Sequence, residues 1–122
     1  MCNGQVGWEL QRSIQLLGEV VSCDLNSPAD RRTNFSEPDA VSALINRVRP
    51  DVIVNAAAHT AVDQVEREPE RARLINATTP GVLAMTANQL GALPVHYSTD
   101  YVYDGSGDAP WDKMAAIGPL SV

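Results

Sequence analysis

The chain opens on Asn3-Gly4-Gln5-Val6-Gly7, and an amphipathic run follows at once in Val6, Leu10, Ile14 and Leu17. Glycines just ahead of a helix let the backbone come close to a pyrophosphate, whose charge the helix N-terminus attracts. Such a loop normally follows a buried strand, which commits the chain to an α/β architecture. Only Met1 and Cys2 precede it. The first strand is therefore expected to be missing, and the chain to be an internal fragment of a larger protein.

Helical and extended patterns then alternate. Residues 5–17 read as a helix closed by Gly18, and 19–24 as a short strand. A polar stretch over 25–36 holds at most one very short strand, around 33–35. Ser36, with Asp39 three positions on, has the form of a helix cap; Val41, Leu44, Ile45 and Val48 then share a face until Pro50. Asp51-Val52-Ile53-Val54-Asn55 is a strand of the kind buried on both faces of a parallel sheet. A loop is expected over 56–65, then a long helix over 68–90 with a kink near Thr79, where Pro80 interrupts it. Residues 93–98 form the last strand, and the Gly-, Pro- and Asp-rich tail from Thr99 reads as loop.

This alternation is the sequence form of a Rossmann-like, doubly wound parallel α/β sheet. The expectation is one partial dinucleotide-binding domain over residues 1–122, lacking its first strand and a C-terminal substrate domain. In the doubly wound order that strand lies between 19–24 and 51–55. Unpaired buried backbone is costly, so the fragment alone is expected to fold poorly or aggregate.

Bulk properties remove other classes. A chain of 122 residues holds one domain, and no apolar run is long enough to cross a bilayer. A net charge of −6, with Arg31-Arg32 as the one adjacent basic pair, argues against a nucleic-acid partner. The N-terminus has no signal-peptide pattern, and Cys2 and Cys23 read as reduced thiols of a cytoplasmic protein. Asp63, Glu66, Glu68 and Glu70 read as a solvated helix start without the histidine spacing of a metal site, so no metal is expected.

Ligands of open α/β sheets bind beyond the carboxyl ends of the strands. At the first such end stands Asp24, about 20 positions after Gly4, where an acid accepts a ribose 2′-hydroxyl. Arg31 and Arg32 follow and would instead meet a 2′-phosphate, so the choice between NADPH and NADH stays open. At the second end, Asn55-Ala56-Ala57-Ala58-His59-Thr60 brings small side chains that admit a ligand close to the backbone. The third end carries Tyr97-Ser98-Thr99-Asp100, whose hydroxyls are suited to an oxygen gathering charge during hydride transfer, although such residues commonly cap loops.

Three segments together resemble the dTDP-4-dehydrorhamnose reductase family of extended short-chain dehydrogenase/reductases. They are the opening run through Arg12, the stretch from Arg49 to Asp63, and His96-Tyr97-Ser98-Thr99-Asp100-Tyr101-Val102. Leu74-Ile75-Asn76-Ala77-Thr78 and Gly118-Pro119-Leu120 fit the same pattern. The resemblance implies reduction of the 4-keto group of dTDP-6-deoxy-L-lyxo-4-hexulose to dTDP-L-rhamnose, with NADPH or NADH as cofactor and the dTDP-4-keto-6-deoxy sugar as substrate. It also leaves a homodimer open for the full-length enzyme. It implies that Gly4, Gln5 and Val6 cover the pyrophosphate, that Asp24 lies near the adenosine ribose, and that Ala58, His59, Thr60 and Tyr97 line the cofactor. Thr99 takes the catalytic hydroxyl role, and Thr99 and Asp100 adjoin the substrate.

The chain departs from that pattern in places. The family's Tyr-x-x-x-Lys pair has no counterpart: Gly105 and Gly107 stand four positions after Tyr101 and Tyr103, and Ala109 stands four before Lys113. Met1 replaces the first loop glycine, Asn34 replaces an acid near the cofactor, and Pro80 is foreign to its helix. The fragment by itself is therefore expected to be inactive. Two other readings remain: a non-catalytic nucleotide-binding or regulatory subunit on the same fold, and another nucleotide-sugar epimerase or dehydratase.

Overall fold

The computed structural model describes residues 4–120. Helix α1 (Gln5–Ser13) begins behind Gly4 and runs into a 3-10 turn, Ile14–Leu16. Its one buried residue is Gly7, and Leu16 and Leu17 are exposed, so its apolar stripe is only partly covered. The segment 19–24, expected as a strand, forms none. No strand among the described residues offers it a ladder, and backbone pairing is what makes an extended segment a strand.

Helix α2 (Pro38–Val48) starts with proline in its first turn, where the missing N–H costs nothing. Its cap position is Glu37 and carries no side-chain cap bond, which corrects the assignment of Ser36. The turn before it is tied by Asn34 instead: Oδ1 accepts from Ser36 N at 3.0 Å, and Nδ2 donates to Glu37 Oε1 at 2.9 Å. The helix ends at Arg49, in the left-handed region at φ 50°, directly before Pro50.

Strands β1 (Val52–Asn55) and β2 (Leu93–His96) form a two-stranded parallel sheet, with Val52 opposite Leu93 and Asn55 opposite His96. The chain crosses between them through α3 (Val62–Arg67), α4 (Pro69–Arg73), a π turn (Leu74–Thr78) and α5 (Thr79–Leu90). Helix α3 lies partly inside the stretch expected to be loop. The break expected near Thr79 is the π turn, where Thr79 N–H bonds to Leu74 O, five residues back. Pro80 has no N–H for the carbonyl of Asn76, so regular laddering has to give way there.

The core sits between α2 and α5: Val41, Ile45 and Leu83, with Phe35, Ile53 and Leu90 packed around them. Two buried threonines of α5 stitch this layer. Thr79 Oγ1 donates to Phe35 O at 2.8 Å, and Thr86 Oγ1 lies 3.1 Å from Ser42 Oγ on α2. Expected to be covered on both faces, β1 is not: Val52 is 50% exposed, beside Leu93 at 60% and Val95 at 38%. The α2–α5 layer covers the Ile53 side, and alternate residues of a strand face opposite ways. No helix among the described residues is long and apolar enough to cross a membrane.

Candidate functional site

A cleft of about 240 Å³ lies between the 23–36 segment, the loop after β1 and the helices beyond it. Asp24 lines it from one side, Ala57, Ala58 and His59 from another, and Gln64, Arg71 and Ile75 from the helices. Leu25 and Phe35 add apolar wall. The acid at the end of 19–24 and the small-residue loop after β1, far apart in sequence, therefore share one wall-to-wall space.

Asp24 is buried and organises its own turn. Oδ1 accepts from Asn26 N at 2.7 Å and from Ser27 Oγ at 3.3 Å, while Asp24 O accepts from Thr33 N at 3.1 Å. That last bond closes the 24–33 loop and sets Thr33 and Asn34 against the cleft. Among the described residues, Thr33 Oγ1 and His59 Nε2 are buried without a hydrogen-bond partner. Both residues line this cleft. Buried polar atoms in a folded chain are nearly always satisfied, so two such atoms on residues lining one space single it out among the described residues as a place for a polar ligand.

The loop after β1 is fixed at both ends. Asn55 Oδ1 accepts from Ala57 N at 2.9 Å, and Asn55 Nδ2 lies 3.0 Å from His96 Nδ1, joining the ends of the two strands. Further on, Asn76 Oδ1 accepts from His59 N at 2.8 Å, and Asn76 Nδ2 donates to His59 O at 3.1 Å. On the helix side, Glu68 receives Gln64 Nε2 at 3.3 Å and Arg71 Nη1 at 3.0 Å, and these two bonds hold its carboxyl below the ordinary range. Arg31, a candidate for a 2′-phosphate, lies 3.6 Å from Asp30, and neither it nor Arg32 lines the cleft. The cation that does is Arg71.

The other expected residues lie elsewhere. Gly4 is the cap residue of α1, in extended conformation at φ −75° and ψ 167°, with no side-chain cap bond; Gln5 is the first helical residue. With Trp8 and Glu9 these two line a second, more open cleft, and Val6 is exposed beside them. Thr60, Tyr97, Thr99 and Asp100 line neither cleft. Thr99 caps the 3-10 turn Asp100–Val102: its Oγ1 accepts from Tyr101 N at 3.2 Å and donates to Asp100 Oδ1 at 3.3 Å. Sequence reasoning passed over Thr33, Ser36, Gln64, Arg71 and Ile75 as cleft residues. Their one signal was position, on the polar stretch and the first turns after the β1 loop.

Comparison with known proteins joins these features into one pattern. The model of the RmlD substrate binding domain matches residues 2–122. The chain belongs to that family. Among relatives, the dTDP-4-dehydrorhamnose reductase of Escherichia coli K12 is 53% identical over 119 residues, which cover 98% of this chain and 40% of that protein. The crystal structure of a dTDP-4-dehydrorhamnose reductase from Clostridium acetobutylicum superimposes with a TM-score of 0.88 at 36% identity, over 98% of this chain and 41% of that one. A Bacillus anthracis dTDP-4-dehydrorhamnose reductase, solved in complex with NADP, gives 0.87 at 29% identity over 98% and 42%. The chain thus spans about two-fifths of the length of the family members it matches. Within the family fold, its α/β arrangement with a parallel sheet is the Rossmann-like one.

Proposed function

We propose that this chain is the dinucleotide-binding part of an NAD(P)H-dependent reductase acting on the 4-keto group of dTDP-6-deoxy-L-lyxo-4-hexulose to give dTDP-L-rhamnose. The observation that carries the reading is the cleft joining Asp24 to the Ala58-His59 loop, whose lining residues Thr33 and His59 each hold a buried polar atom without a partner. The likeness to named reductases, one of them solved with NADP, supports it.

The residues present fit such a cofactor. The Asp24 carboxylate suits a ribose hydroxyl, Phe35 and Ile75 suit the flat apolar faces of a base, and the uncapped amides of α1 behind Gly4 suit a pyrophosphate. Arg71 on the wall adds a cation for a further phosphate. When bound, the nicotinamide supplies hydride. The chain's own part at the substrate is the Thr99 hydroxyl, which turns from Asp100 Oδ1 to donate to the carbonyl oxygen as it gains charge. No tyrosine in the 122 residues is followed four positions on by lysine. These residues are therefore expected to bind cofactor without reducing the sugar.

The experiment is a fluorescence titration with NADPH and NADH, run beside an assay for loss of NADPH in the presence of the dTDP-4-keto sugar. Saturable NADPH binding supports the reading. No binding of either nucleotide by protein that circular dichroism shows to be folded sinks it.

A further inference from the structure

Asn76 reaches from the π turn to the loop after β1, seventeen positions earlier, and takes both backbone groups of one residue: His59 N–H on its Oδ1 and His59 C=O on its Nδ2. The turn is widened by the five-residue bond from Thr79 N to Leu74 O, and π turns of this kind recur at functional sites.

What the bond pair holds is the wall of the cleft. His59 and Ala58 line it, and the buried His59 Nε2 has no partner among the described residues. Asn76 is itself exposed. Resting on the cofactor reading above, we infer that Asn76 is a positioning residue for the dinucleotide. It sets the backbone of His59, and so the direction of the imidazole, before the nucleotide arrives. Ordering a binding loop in advance lowers the cost of binding rather than adding a contact.

The competing role is a staple that serves stability alone. The two are separated by measuring NADPH affinity, urea unfolding and hydrogen exchange at the His59 amide in the unsubstituted protein, Asn76→Ala and Asn76→Asp. Loss of two hydrogen bonds that preorganise the loop is expected to weaken NADPH binding about tenfold in Asn76→Ala, with the unfolding midpoint little changed and the His59 amide exchanging faster. Asn76→Asp keeps the acceptor for His59 N–H and is expected to recover part of the affinity. A lowered midpoint with NADPH affinity intact overturns the inference. Should Asn76→Ala fail to fold, affinity in Asn76→Asp equal to that of the unsubstituted protein overturns it. No NADPH binding by the unsubstituted protein, shown folded by its cooperative urea transition, overturns the cofactor reading and this inference together, whereas tight binding that no substitution alters overturns this inference alone.

Discussion

Replacing Thr79 by valine isolates one bond. Thr79 is fully buried, and its Oγ1 donates to Phe35 O at 2.8 Å, tying the segment before α2 to the first turn of α5. Valine keeps the shape and removes the donor. The carbonyl left without its partner costs about 1–3 kcal/mol. The methyl group that replaces the hydroxyl returns about 0.8 kcal/mol. The middle of that range, less the methyl gain, leaves a net loss of about 1 kcal/mol. Thr86→Val is the internal control. Thr86 Oγ1 donates at 2.8 Å to Val82 O, a carbonyl that keeps its helical N–H when the hydroxyl goes, and the Ser42 hydroxyl that loses its contact with Thr86 is only half-buried. Urea unfolding followed by far-ultraviolet circular dichroism, at low micromolar protein, gives both values. Because Phe35 also lines the cleft, Thr79→Val should weaken NADPH binding where Thr86→Val does not. Thr79→Val as stable as the parent within about 0.3 kcal/mol, or Thr86→Val the more damaging of the two, would refute the reasoning.

Leu83→Ala, which empties the centre of the α2–α5 core, is expected to cost about 2–5 kcal/mol in the same unfolding experiment. Asp24→Ala removes the acceptor for Asn26 N and Ser27 Oγ, so a loss of about 1–2 kcal/mol should accompany weaker NADH binding in a fluorescence titration. Burial pushes the Cys23 thiol above its ordinary value, with Arg31 and Arg47 opposing the shift. Its alkylation by iodoacetamide should therefore rise at a higher pH than that of a free thiol, and NADPH should slow it, since Cys23 lines the cleft. The linked stability is full below the ordinary thiol pKa and is lost as pH rises through the folded value; a denaturation series across alkaline pH checks that sign. The open sheet face of Val52, Leu93 and Val95 should make the 122 residues self-associate, and Val52→Thr with Val95→Thr should reduce this in sedimentation runs.

The α/β alternation, the two strands and the break before Pro80 were legible because each rests on local chemistry. A β-branched run between Pro50 and an alanine loop, or a proline inside a helical pattern, has few other outcomes. The failures depend on partners that a residue's own chemistry does not reveal. Val20 and Val21 have strand-forming side chains, but a strand exists only where another offers a ladder. Ser36 has the chemistry of a cap, yet Asn34 two residues earlier captured its amide. Among the residues lining the cleft, Ala58 and His59 could be read from their place after β1, and Asp24 from its spacing to Gly4. Arg71 and Ile75 reach the cleft from a helix whose rotation no short-range pattern fixes.

The π turn also resets helical phase. One residue turns an α-helix by about 100°, and a wide turn shifts everything beyond it by part of that angle. The rod from Pro69 to Leu90 therefore behaves as two instruments on one shaft. Its first part aims Arg71 and Ile75 into the cleft, and its second aims Thr79, Leu83 and Thr86 at α2 and the segment before it. Deleting a single residue from Leu74–Thr78 would close the turn to regular α-helix and leave both faces nearly where they point, whereas deleting one outside it would swing one face away from the other by about 100°. The wide turn is thus the place where the rod can change length by one residue while cleft and core are both still served.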